Sequence, residues 1–524
     1  MTAERGPGDT TRVTITRGDL GPGGWRELRA ADGEEHPQEV PTGEVLACLW
    51  HLSDLHVCDA ESPARAEYLD RHSDPDSPYR EQLGDIGTYR PQEILTVQVA
   101  TTMVRTVNDW RFGPTTGAPI DTVLLTGDLT DNAQRNELAW YQSIVEGGII
   151  SPRSGDEARS SWVGATNPDY CDERYWHPDG APEGAEPDRP TRLYGYPTIS
   201  GLVEAARRDV VSPGLALPWI SVHGNHDGLL QGTVTPDADL RALAVGSERI
   251  TDLPEGLDPM VTAVAIDGNG PVQYIHDATS PVTTIAPDPR RDFVEPHEFV
   301  ATTRPDAAPG EPKYFVTDVG RLRIVAIDTV NPHGGWQGSL GQVQFDWLVR
   351  TLDDSADRYV VIASHHPSPT LTNGYAPEGA EERVLGDRVV EALLSRANVI
   401  AWIAGPVHFH AAGRHGDDER GFWEITTSSL IDWPQQARIL EFVRVNDGPT
   451  PEIAIVSTVV DHGAPPQWNA AALNDPANLA AISRSLSAND YRLRESSLRG
   501  LNLESAPEVR NVVWRCPDPF ASSS

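Results

Sequence analysis

Val45-Leu46-Ala47-Cys48-Leu49-Trp50-His51-Leu52-Ser53-Asp54-Leu55-His56 is the stretch on which the reading of this chain turns. The run from Val45 to Leu52 is short and apolar on both faces, which predicts a buried strand rather than a half-exposed one. A carboxylate and an imidazole follow directly, two residues apart. On backbone that stays extended, Asp54 and His56 project to the same side, which suits two ligands of one cation. Alone, an Asp-x-His pair is common by chance. The construction, however, recurs.

Val123 to Thr126 predicts a second strand, ending at Gly127-Asp128-Leu129-Thr130-Asp131-Asn132. Trp219 to Val222 delivers Gly224-Asn225-His226-Asp227, Tyr359 to Ala363 delivers Ser364-His365-His366-Pro367, and Val399 to Ala404 delivers Gly405-Pro406-Val407-His408. Between them lie helical patterns over Pro91–Trp110, Ala133–Val145, Ser339–Leu352 and Glu381–Arg396. A hairpin is expected from Tyr314–Asp318 and Leu322–Asp328, turning at Gly320. In open α/β sheets ligands gather at the carboxyl ends of strands, so clusters far apart in sequence can share one edge. Together they hold carboxylates, an amide oxygen and imidazoles, a donor set for divalent metals.

Each residue also has a plainer reading. The two oxygens of Asp128 can bridge two cations, and Gly127 removes bulk where the chain turns. Asp131 or Asn132 is expected to cap the helix that follows. Asn225 offers an amide oxygen acceptable to a hard cation, although Asn225-His226 alone reads as a polar turn. His226 points elsewhere and is placed to protonate a leaving oxygen or to stabilise negative charge. Asp227 orients the turn or a neighbouring side chain. One of His365 and His366 binds metal while the other packs or meets substrate. His408 by itself is an ordinary surface or core histidine. The joint occurrence in this order carries the case.

The 524 residues are 39% hydrophobic, enough for a sizeable core. The net charge of −35 opposes nonspecific binding to nucleic acid or an anionic membrane surface. An anionic substrate then needs local positive charge, which bound metals supply. Lys313 is the only lysine. The four cysteines Cys48, Cys58, Cys171 and Cys516 form no CxxC pair or zinc-finger spacing and read as free thiols. No apolar run reaches the roughly 20 residues of a membrane span, and the first residues lack a signal-peptide core. The expected location is therefore cytoplasmic, with no membrane or nucleic-acid partner. No G-x-S-x-G elbow and no G-x-G-x-x-G after a strand is present, which argues against a serine hydrolase and a dinucleotide site.

The expected organisation is a leader or edge element over 1–43, with Val13 to Thr16 as a short strand. A catalytic domain over 44–460 follows, interrupted by insertions at about 151–214 and 228–312. A helical extension and tail over 461–524 closes the chain. Trp162, Tyr170, Tyr175 and Trp176 lie in the first insertion, where packing is the expected role and stacking on a ligand the alternative. Asp328, Asn331 and Gly334-Gly335-Trp336 are candidates to line a cleft.

The order DxH, GDxxDN, GNHD, HHP and a terminal His resembles the calcineurin-like metallophosphoesterase superfamily, over Val45 to about Ala412. The resemblance implies an α/β fold, a two-sheet β-sandwich flanked by helices and enlarged by insertions. It implies two divalent ions (Mn, Fe or Zn), with Asp54, His56 and His408 on one, Asn225 and His365 on the other, and Asp128 bridging. His226 would be the catalytic histidine, and a small phosphate ester the substrate. The fifth motif departs from the family pattern: Pro406 stands where the family has a ligand histidine. Either the second site keeps fewer ligands, or His408 and His410 form the pair after a shift of two residues. The departure also leaves open a single-metal member acting as a binding or regulatory protein.

Overall fold

Two six-stranded sheets pack face to face, and helices cover both outer surfaces. The computed structural model describes residues 13–32, 41–72, 74–83, 87, 89–167, 170–262, 275, 277–405, 407–417, 420–446, 450–491 and 507–521. The strands are β1 (Gly43–Leu52), β2 (Thr122–Leu125), β3 (Trp219–Ser221), β4 (Phe315–Val319), β5 (Leu322–Ala326) and β6 (Tyr359–Ala363). They continue with β7 (Val399–Ala404), β8 (Ala411–Gly416), β9 (Gly421–Thr426), β10 (Gln436–Val445), β11 (Glu452–Asp461) and β12 (Val513–Pro517).

The first sheet runs β12-β11-β10-β1-β2-β3 and the second β4-β5-β6-β7-β9-β8. Strands β1, β2 and β3 are mutually parallel, as are β5, β6, β7 and β9. The remaining neighbours pair antiparallel. Strands β2, β6 and β7 are buried along their whole length, which explains their nearly continuous apolar character. Along β1, Ala47 and Leu49 face the second sheet while Cys48, Trp50 and Leu52 face the helical layer, the period of two that a strand imposes. In β6, Val361 and Ala363 meet the first sheet, and Val360 and Ile362 face outward.

Helices α1 (Thr96–Asp109), α2 (Arg135–Glu146) and α5 (Pro476–Ala488) cover the first sheet. Helices α3 (Gln342–Asp353) and α4 (Gly386–Leu394) cover the second. Val97, Ala100, Met103, Val104 and Val107 form the buried stripe of α1, as their spacing predicts. That helix starts later than expected: Glu93–Leu95 is a 3-10 turn, and Ile94 packs into a separate aromatic cluster. Neither Asp131 nor Asn132 caps α2. Gln134 is the N-cap residue, its N–H donating to Glu137 Oε2 at 3.3 Å while its side chain accepts from Ser62, and both earlier side chains are engaged elsewhere.

The chain's close differs from the expected helical extension. Among the described residues past Asp461, only Pro476–Ala488 is a long helix, and Val513–Pro517 returns as the edge strand beside β11. Its alternating Trp514 and Cys516 bury against the two-sheet core. Near the start, Val13–Leu20 and Arg26–Asp32 form a hairpin, held to the end of α5 by the Arg26 N–H donating to Asn489 Oδ1 at 2.8 Å. Trp162, Tyr175 and Trp176 are buried among Tyr89, Leu95, Leu479 and Ile482, so they pack the structure. No helix among the described residues is long and apolar enough to cross a membrane. The four cysteines are unpaired.

Candidate metal centre

Four strand-end residues that carry candidate donors have left-handed backbone: Asp54 (φ 53°), His56 (44°), Asp128 (49°) and His408 (60°). They make up half of the eight non-glycine residues with positive φ among those described. Each such conformation costs roughly 1–3 kcal/mol and persists only where surroundings over-determine it. Here they do. The Asp54 N–H donates to the Gly127 carbonyl at 3.1 Å, the His56 N–H to the Asp128 carbonyl at 2.9 Å, and the Leu430 N–H to the Asp54 carbonyl at 3.0 Å. Asp54 and His56 therefore converge through a left-handed turn, not through the extended backbone that their spacing suggested. Gly127 (φ 92°) lets the loops of the two sheets touch: a Cβ there would lie 2.7 Å from His365 Nδ1 and 2.9 Å from Gly224 Cα.

Asp54, His56, Asp128, Asn225 and His365 are buried, and His226 and His408 are half-buried at the open side. His56 Nε2 lies 4.0 Å from Asp54 Oδ1 and 3.6 Å from Asp128 Oδ2. His408 Nε2 lies 3.4 Å from Asp54 Oδ1. On the other side, His365 Nε2 lies 3.3 Å from Asp128 Oδ2 and 2.9 Å from Asn225 Oδ1. One oxygen, Asp128 Oδ2, thus belongs to both groups. Its partner Oδ1 accepts the His226 N–H at 2.9 Å, which fixes the carboxylate plane. Donors about 2.1 Å from a shared ion stand roughly 3–3.5 Å from one another; the separations of 3.3 and 3.4 Å fall in that range, those of 2.9 and 3.6 Å lie just outside it, and the 4.0 Å pair would have to close in.

The protonation pattern fits cations as well. His365 Nδ1 faces the Thr126 carbonyl at 2.8 Å, so that nitrogen carries hydrogen. His56 Nδ1 faces Asp131 Oδ1 at 2.9 Å, and His408 Nδ1 faces Asp432 Oδ2 at 2.7 Å. Every candidate imidazole is therefore oriented through Nδ1 and turns Nε2 inward, the arrangement by which outer partners fix metal-binding histidines. Asp54 Oδ1 and His56 Nε2 are buried with no hydrogen-bond partner. An orphaned carboxylate oxygen and imidazole nitrogen facing one another are costly without a cation.

Charge bears this out. Burial disfavours an imidazolium at His365, yet Asp128 and then Asp54 overrule it and raise its pKa to about 9. Burial is likewise outweighed at His408, where Asp432 and Asp54 raise the pKa to about 9. Burial also opposes charge on Asp128, but His365 and His226 hold it well below the usual carboxylate range. The carboxylates thus demand positive charge, from protons or from metal ions. His226 differs: burial, helped by His56, pushes it down to about 4. Its Nδ1 donates to the Asp131 carbonyl at 2.5 Å, leaving Nε2 as an acceptor in the neutral ring.

The other expected residues divide. Asp227 orients the turn, accepting the Gly224 N–H at 2.8 Å and the Thr130 N–H at 2.9 Å. His366 turns both ring nitrogens to other partners, Thr329 Oγ1 at 2.8 Å and the Trp336 carbonyl at 2.7 Å, and supplies no donor to the centre. His410 is buried beside Gln436 and Arg438, so the shifted His408/His410 pair does not form. Asp328 is taken up by Lys313 Nζ at 2.9 Å and His223 Nδ1 at 3.1 Å. Pro406 lies outside the described residues.

Three supporting residues escape sequence reasoning. Asp131, expected as a cap, instead joins His56 to the buried Arg65 guanidinium. The only signal for it is its place three residues after Asp128. Asp432 and Arg65 lie outside every motif, and no spacing marks them.

Two six-stranded mixed sheets, outer helices and donors at parallel strand ends are the arrangement implied by the resemblance to calcineurin-like metallophosphoesterases. No family model matches the chain, and no curated protein matches it. Similar solved structures include a dimetal phosphatase from Danio rerio, at 12% identity and a TM-score of 0.35, covering 80% of this chain and 100% of that one. Another is the sulfate thiohydrolase SoxB from Thermus thermophilus, in complex with glycerol, at 10% identity and a TM-score of 0.28. It overlaps 81% of this chain, which spans 58% of that protein.

Proposed function

We propose that this chain is a metal-dependent phosphohydrolase acting on a small phosphomonoester or phosphodiester. The observation that supports it is the single oxygen Asp128 Oδ2, within 3.6 Å of His56 Nε2 and 3.3 Å of His365 Nε2. One carboxylate atom stands between two imidazole groups, each completed by a further oxygen donor. Asp54, His56 and His408 would hold one divalent ion and Asn225 with His365 the other, with Asp128 on both. Ions bound there would polarise a phosphoryl oxygen and make a nucleophile of water at neutral pH.

The remaining work falls to side chains of this chain. The carboxylates would hold the cations that give an anionic ester somewhere to dock in an otherwise strongly acidic protein. Asp131 and Asp432 keep His56 and His408 in the tautomer that turns Nε2 inward. His226, half-buried and neutral, offers Nε2 at the open side. An arriving phosphate dianion raises its pKa, so the ring can take a proton and pass it to the leaving oxygen.

The test combines elemental analysis of protein purified without chelator with hydrolysis of p-nitrophenyl phosphate and its bis ester, before and after chelation. Two ions per chain and turnover restored by Mn²⁺ are expected. Turnover that survives complete chelation and dialysis would rule the proposal out. Pro406, which has no donor atom, favours a second reading, a single-metal binding protein. One ion per chain and no turnover on either ester would establish that reading.

A further inference from the structure

Beside the centre, two large rings stand in solvent on a braced pair of loops. Trp336 is 44% exposed and Tyr375 is 44% exposed. Single exposed apolar side chains are ordinary, so exposure alone assigns nothing. What marks these two is how their backbone is held. The Gly335 N–H donates to the Thr233 carbonyl at 2.7 Å, and Asn373 Nδ2 to the Gly334 carbonyl at 2.7 Å. The buried Asn331 donates through Nδ2 to the Tyr375 carbonyl at 2.9 Å, and the Tyr375 N–H donates to Asn373 Oδ1 at 3.0 Å. Residues 331–338 and 370–375 are one cross-linked unit.

That unit is fastened to the centre at two points. His366, next in sequence to His365, carries the Trp336 carbonyl on Nε2 at 2.7 Å, and its ring lies 4.8 Å from that of His365. Gly232 accepts Asn225 Nδ2 on its carbonyl at 3.0 Å, and a Cβ at Gly232 would come within 2.6 Å of His226 Nε2. Thr233, the next residue, holds Gly335. From His226 the chain of contacts therefore runs through Gly232, Thr233 and Gly335 to Trp336. The backbone that carries Trp336 is thus tied to the loop beside His226, and both rings on this unit are exposed.

We infer that Trp336 and Tyr375 select substrates, favouring phosphate esters whose alcohol portion carries a planar ring, aryl or nucleobase. This deepens the phosphohydrolase reading and rests on it for the word substrate. The chemistry is stacking: a flat face held on a rigid loop meets a flat ligand with little ordering cost, and every planar ring offers a π-face to it.

The experiment compares the Mn²⁺-supplemented parent with Trp336→Ala, Tyr375→Ala and Trp336→Phe. The substrates are p-nitrophenyl phosphate, adenosine 5′-monophosphate and glycerol phosphate. For ring-bearing esters, KM should rise about tenfold in each alanine variant, with kcat within twofold and Trp336→Phe close to the parent. Glycerol phosphate should be unaffected. A defect on p-nitrophenyl phosphate alone assigns an aryl ligand, and one on the nucleotide a base. Equal losses on all three substrates, or none, overturn the inference. Equilibrium dialysis with adenosine 5′-monophosphate separates the two proposals. Trp336-dependent binding without hydrolysis of any ester retains the platform and discards the phosphohydrolase. Hydrolysis indifferent to position 336 does the reverse.

Discussion

Asp131→Asn is the change that probes the centre without removing a donor that faces it. Asp131 is fully buried: Oδ1 takes His56 Nδ1 at 2.9 Å, Oδ2 takes Arg65 Nη1, and its carbonyl takes His226 Nδ1. Burial alone would raise its pKa, but Arg65 and His56 outweigh burial and hold it well below the usual carboxylate range. An asparagine keeps the shape and the carbonyl contact. It has one oxygen for two donors, so its NH2 must face either Arg65 or His56. A charged hydrogen bond of this kind contributes about 1.5–3 kcal/mol, and the metal-free variant should lose stability on that scale. Outer partners of metal-binding histidines are worth roughly 10–100-fold in affinity, or about 1.4–2.8 kcal/mol. Calorimetric titration with Mn²⁺ should show that loss at one site, with stoichiometry recovered at saturating metal. Arg65 retains Glu93 at 2.9 Å, so the variant should still fold. Mn²⁺ affinity within twofold of the parent, in a folded variant, would refute the argument that Asp131 sets the His56 donor.

Gly232→Ala should lower kcat about 100-fold on every ester, because its Cβ would lie 2.4 Å from Asn225 Nδ2 and 2.6 Å from His226 Nε2 at φ +65°; steady-state kinetics check this. Pro406→His restores the donor-bearing residue that the family resemblance implies at this position and should tighten binding of the second ion, read by titration against the parent. The metal-free chain should lose stability as pH rises from about 6.5 towards 9. His365 and His408, raised to about 9, gain from folding while protonated, a gain that is complete below their unfolded pKa and gone above 9. On the acid side, His226, lowered to about 4 by burial, favours the fold only when neutral, so stability also falls as pH drops below about 6.5. Chemical denaturation in chelator across pH 5–9 should therefore show a maximum near the middle, and a curve rising steadily to pH 9 would contradict it.

How much was legible follows from how local each cause is. Buried parallel strands announce themselves as apolar runs, so Tyr359–Ala363 and Val399–Ala404 match their predicted ends. Candidate donors directly after such strands are legible for the same reason. Helix starts are less so: the pattern from Pro91 continues through a 3-10 turn that periodicity cannot separate from α1. The left-handed turns at Asp54 and His56 were hidden because aspartate and histidine do not require them; the bonds to Gly127 and Asp128, remote in sequence, impose them. Asp432 and Arg65 were invisible because their partners lie 24 and 66 residues away, and only tertiary packing brings them together. The edge strand Val513–Pro517 was missed because it is short and follows a helix.

The left-handed backbone at Asp54, His56, Asp128 and His408 has a kinetic consequence. Its cost is met by backbone hydrogen bonds from Asp54 to Gly127, from His56 to Asp128, from Leu430 to Asp54 and from Ser429 to His408, so the cradle should persist when its ions are removed. Stripped protein should keep its shape and reload at a rate set by how quickly each cation sheds water, without a refolding phase.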